Sequence, residues 1–138
     1  KIYATTSRLY HNPYAFATIL GALAEGDFQD IVCNGSVGID GTGAYSVSHV
    51  NGFNTDFKYF RKDKKRGLIE AELIYVNDQR LDKVRQNQFL DALYKFGWGN
   101  VTSNLANKTV DGSDLNHCAQ DPDHKNHLHI QGLKINFI

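Results

Sequence analysis

The sequence predicts an α+β domain, with helices packed on one face of a small, mostly antiparallel sheet. Two segments place apolar residues at helical spacing, and several short segments read as strands between glycine-rich or charged turns. No repeat, low-complexity tract or linker interrupts the 138 residues. They therefore read as one domain, 1–138, long enough to bury a real core.

Asn12-Pro13 is a helix start, with Asn as cap and Pro at the first helical position. Phe16, Ile19, Leu20 and Leu23 follow at helical spacing, and Gly26 can end the helix. Asp30 to Cys33 reads as a short strand, and Gly35 to Gly43, with four glycines, as a loop or tight hairpin. Thr55 to Phe60 alternates polar and aromatic residues as a strand does. Arg61 to Arg66 reads as a solvated basic turn and Ala71 to Val76 as a second strand. Asp78 can cap a long helix whose stripe is Leu81, Val84, Phe89, Leu90, Leu93 and Phe96, closed by Gly97. Asn100 to Asn126 is polar and loop-like, a length that is often functional. His127 to Phe137 reads as the final strand.

Fifteen basic residues balance fifteen acidic ones, which argues against a nucleic-acid partner. No apolar run approaches the length of a membrane span. The chain lacks Met and shows no signal peptide at its start, which reads as a mature form or a domain excised from a longer protein. Cys33 and Cys118 form no Cys-x-x-Cys unit. They are either two buried thiols or one disulfide, and the disulfide is the favoured expectation. It would close a long loop and contribute about 4 kcal/mol.

Histidines and acids gather in two places. One is His49-Val-Asn-Gly52-Phe-Asn-Thr-Asp56; the other is Asp123-His124-Lys-Asn-His127-Leu-His129. Two imidazoles and a carboxylate make the ligand set of a catalytic zinc, with a fourth position for water. The remaining acid and imidazole beside such a metal suggest hydrolysis. On a strand, His127 and His129 project from the same face, so one can bind the ion while the other stands beside it. His49 and Asp56 can meet if the chain bends at Gly52, which has no Cβ. His124 reads as an exposed loop residue, and His117 and His11 as unrelated to the metal. Trp98 reads as either a cleft wall or a core residue.

His49-x-x-Gly52-x-x-x-Asp56 followed by Asp123-x-x-x-His127-x-His129 resembles the zinc peptidases that group lysostaphin-type endopeptidases, D-Ala-D-Ala peptidases and the hedgehog domain. The resemblance is closest to the D-alanyl-D-alanine carboxypeptidase and murein endopeptidase branch. Val47 stands where that pattern has Ser, Asn54 where it has Ala, and the Glu-x-Trp-His motif of the dipeptidases is missing. The resemblance implies one Zn2+ ion held by His49, Asp56 and His129, in a cleft on the sheet face away from the helices. It implies Asp123 as catalytic acid and base, and His127 as the active-site histidine that stabilises the oxyanion. It also implies a peptidoglycan peptide substrate, a secreted or periplasmic location and action as an antibacterial effector or lysin, with an immunity or carrier protein as a possible partner. A carboxypeptidase would need a cation for the substrate carboxylate, for which Arg8 is a candidate. Two rival functions are a His-metal nuclease, since Asp123-His124 with Asn126-His127 resembles a histidine/asparagine nuclease motif, and a non-catalytic zinc-binding recognition domain.

Overall fold

A computed structural model describes residues 1–43, 47–103, 114–121 and 123–134. The elements run β1 (Tyr3–Ala4), α1 (Pro13–Ala24), β2 (Val32–Gly35), β3 (Thr55–Lys58), a 3-10 turn (Glu70–Glu72), α2 (Lys83–Lys95), β4 (Trp98–Ser103), β5 (Cys118–Gln120) and β6 (His127–Leu133). The class is α+β as expected. The sheet is mixed, with antiparallel pairs in the majority. In the order β1-β2-β3-β6-β4-β5, the two outermost pairs are parallel and the three inner ones antiparallel.

α1 starts as the sequence dictates. Asn12 Oδ1 accepts the amide of Tyr14 at 3.0 Å, and Pro13 begins the helix. Its buried face is different from the one the apolar spacing suggests. Ala15, Ile19 and Ala22 are buried, whereas Phe16 and Leu20 are exposed. Small residues on the inner face let α1 lie close to the core, where Thr18 Oγ1 accepts the indole N–H of Trp98 at 3.1 Å. Trp98 is therefore a core residue and not a cleft wall.

α2 begins later than Asp78. Its cap is Asp82, whose carboxylate accepts the amide of Arg85 at 3.1 Å. Asp78 instead organises the preceding turn, accepting the amide of Arg80 at 2.8 Å. Phe89, Leu90 and Leu93 are fully buried, while Val84, counted in the predicted stripe, is exposed. Phe89 stands edge-on to Phe57 and Phe60, with ring centroids 5.7 and 5.6 Å away. Such aromatic pairs contribute about 0.5–1.5 kcal/mol beyond their buried area.

Four further expectations need correction. Ala71 to Val76 forms no strand: a 3-10 turn occupies Glu70–Glu72, and Ile74 and Val76 are buried without a ladder. Arg61 is not solvated. It is buried, donates to the carbonyl of Glu72 at 2.6 Å and pairs with Asp63. The polar stretch from Asn100 to Asn126 carries most of β4 and all of β5. The predicted strand to Phe137 is described as far as Leu133, and its end lies outside the described residues. Cys33 and Cys118 are not bridged. They lie on β2 and β5, four strand spacings apart, about 19 Å at ~4.8 Å per strand. A disulfide needs Cα atoms within about 7 Å.

β6 lies in the middle of the sheet, with β3 on one side and β4 on the other. Its pleat and that of β3 sort side chains to two faces. Phe57, Leu128 and Ile130 enter the core cluster with the helices. Asp56, Lys58, His127 and His129 alternate with them and so take the opposite face, where Asp56 is paired with His129 and Lys58 with His127.

Candidate metal centre

His49 reaches this face from the loop before β3, and local chemistry fixes that loop. Asn51 and Gly52 both adopt positive φ, 57° and 72°. The carbonyl of Gly52 accepts the amide of Asn12 at 2.9 Å, so the loop is tied to the start of α1. A Cβ at Gly52 would come within 2.3 Å of the Asn12 nitrogen, so glycine is required here for close approach as well as for φ. Ser36 Oγ donates to the carbonyl of Asn54 at 2.9 Å, and Asn54 donates to the carbonyl of Ser48.

Three ligand-type atoms converge. His129 Nδ1 lies 2.8 Å from Asp56 Oδ1, His49 Nε2 lies 3.1 Å from His129 Nδ1, and His49 Nε2 lies 3.3 Å from Asp56 Oδ1. Neighbouring ligands of a tetrahedral zinc with ~2.0–2.1 Å bonds stand about 3.3 Å apart, so the triangle has the size of one face of such a shell. His49 and His129 are 2% and 3% exposed, which keeps bulk water away from the ligands. Nδ1 of His49 is 3.2 Å from the carbonyl oxygen of Ser36 and donates to it, which leaves Nε2 with its lone pair toward Asp56 and His129. Burial alone would raise the Asp56 carboxyl, but the imidazoles of His129, His49 and His127 gathered around it outweigh burial and hold Asp56 well below the ordinary carboxylate range. The three residues are close enough to hold a metal ion and chemically suited to it.

Two more histidines stand beside this triad. His127 Nε2 is 3.9 Å from Asp56 Oδ1. Its Nδ1 faces Asn126 Oδ1 at 2.9 Å and donates to it, so the neutral ring presents a lone pair at Nε2. Burial pushes the His127 imidazole down to about 4, against the opposing pull of Asp56. His124, read from sequence as an exposed loop residue, is half-buried here, with its ring 4.8 Å from that of His127 and 5.1 Å from that of His129. Its carbonyl accepts the Tyr59 hydroxyl at 2.9 Å, which fixes the loop. His124 Nδ1 lies 3.1 Å from Asp121 Oδ1. The buried nitrogen makes no hydrogen bond to any other group. The sequence signal for His124 was its spacing, three before His127 and five before His129, which becomes legible only once a tight turn precedes the strand.

Asp123 is exposed, and its backbone amide donates to Asp121 Oδ1 at 2.9 Å. No cluster of three metal-ligating groups among the described residues includes it. His117 lies elsewhere, paired with Asp91 at 2.9 Å and stacked on Tyr94 at 4.2 Å. His11 packs against Phe16 at the start of α1. Arg8 donates to the carbonyl of Gly43 at 2.8 Å and lies across Gly35, the β2 residue paired with Asp56. No helix of the described residues is long and apolar enough to cross a membrane. No family model, curated protein or solved structure matches the chain.

Proposed function

We propose that the chain is a zinc-dependent peptidase acting on amide bonds of cell-wall stem peptides or cross-links, outside the cytoplasm. The observation that supports the reading is the His49–Asp56–His129 triangle, on the side of the β3–β6 ladder opposite Phe57, Leu128 and Ile130, with further imidazoles beside it. Zinc is the fitting ion because two imidazoles and one carboxylate are a catalytic zinc set. When bound, it would supply a water acidified to near neutrality and a Lewis acid for the amide carbonyl.

The chain's own residues would divide the remaining work. Asp56 and the two histidines would hold the ion, and Ser36 orients His49 through its carbonyl. His127 presents an unprotonated Nε2 toward the site, so it is placed to accept a proton rather than to donate to an oxyanion. Lys58 shares the face with Asp56 and His127 and supplies positive charge for the developing carbonyl oxygen. Asp123 and His124 compete for the task of returning the proton to the leaving amine. Geometry favours His124, whose ring adjoins those of His127 and His129, with Asp121 behind it.

The test is digestion of purified sacculi by the zinc-loaded chain, with fragments identified by mass spectrometry. New amine termini in stem peptides or cross-links are expected; none, at full zinc occupancy, would refute the reading. Asp123→Asn and His124→Ala separate the two candidate acids. Loss of turnover in the second only, with zinc retained, is expected from the geometry.

A further inference from the structure

The metal face holds more ligands than one ion needs. Asp56, His124 and His127 each offer a ligand atom, and these atoms lie within 4.8 Å of one another. This second triangle shares only Asp56 with the first. A carboxylate has two oxygens and about four lone-pair sites, so one residue can serve two ions. Both imidazoles carry outer-shell partners of the kind that orient metal-binding histidines: Asn126 behind His127 and Asp121 behind His124. Nδ1 of His124 is buried with only Asp121 beside it, at 3.1 Å, which leaves the other ring nitrogen for an ion.

We propose that Asp56, His124 and His127 form a second position for a divalent transition-metal ion, bridged to the first through Asp56. The inference rests on the reading of the first triangle as a metal site. The second position is the weaker one. Its ligand atoms are spread more widely, its side chains are more exposed, and Lys58 adds positive charge beside His127. It therefore fills only after the first, at higher metal concentration. Two-metal sites place their ions about 3.5–4 Å apart, a spacing that a bridging carboxylate spans.

The experiment is titration of the metal-free chain with cobalt(II), counting ions by elemental analysis and following magnetic coupling by electron paramagnetic resonance. Two ions per chain are expected, the second binding at least tenfold more weakly and coupling to the first. His124→Ala and His127→Ala are each expected to retain the first ion and lose the second. A stoichiometry that stays at one would overturn the second position and leave the first intact. A second ion that persists in both variants, or that is lost instead in His117→Ala, would also overturn it. Zero ions would refute the first site together with the peptidase reading, so the two failures are told apart by the count.

Discussion

The two faces of the β3–β6 ladder are built from alternating residues of the same eight-residue pairing, yet they differ in every physical respect. Phe57, Leu128 and Ile130 on one face are almost fully buried against α2 and make no polar demand. Asp56, His127 and His129 on the other face crowd a carboxylate and two imidazoles within 3.9 Å of a single oxygen. Because strand side chains alternate at every residue, the fold can place a hydrophobic core and an ion site on opposite sides of one layer. Stability and chemistry are thereby assigned to separate substitutions.

The strongest way to break that contrast is on the core face. Phe57→Ala is expected to cost about 3–5 kcal/mol in denaturant unfolding, through lost burial and the cavity left beside Phe89. Its neighbour across the pleat should behave differently. Asp56→Asn is expected to cost only about 1–2 kcal/mol in the metal-free chain. It should weaken zinc binding by more than the ~10–100-fold that losing an outer-shell partner costs. Equal destabilisation by the two substitutions would show that the faces are not independent. Chelation sharpens the comparison: removing zinc should lower the melting temperature of the parent chain and leave that of Asp56→Asn unchanged.

A smaller effect is expected where the faces are joined. Gly52→Ala puts a Cβ at positive φ and against Asn12, so about 1–3 kcal/mol of stability should be lost. The His49 loop would move with it, and isothermal titration should show weaker zinc binding although no ligand is changed. The smallest effect concerns the thiols. Burial pushes Cys33 up to about 11 and Cys118 up to about 12. A thiol whose folded value is raised keeps its proton when the unfolded thiol, titrating near 8.5–9, has lost it. Stability should thus be flat in this respect below pH 8 and fall as pH rises above 9 toward 11. Ellman's reagent at pH 8 should react only after denaturant is added.

Much of this was legible because it is local. Asn12-Pro13 carries its own cap and dihedral preference, Thr55 to Lys58 alternates visibly, and the spacing of His49, Asp56 and His129 marks the residues that the fold brings together. The misread parts depend on partners distant in sequence. β4 and β5 look polar because their order comes from the ladder with β6 and from each other. The inner face of α1 is set by how closely Ala15 and Ala22 let it approach, which a count of large apolar residues overlooks. His124 looked like a loop residue until Tyr59 and Asp121 fixed its turn.

The central place of β6 has a consequence in time. Residues 55–58 wait for residues 127–130 before either can complete the sheet, and α2, β4 and β5 are all made in between. Closing a loop of that length is slow and repaid late. During synthesis, His49 and Asp56 emerge long before His129, so the triangle has only two of its three corners until the ribosome has passed the last strand. A site assembled this way stays incomplete while the chain is being made, and the seating of one strand completes it.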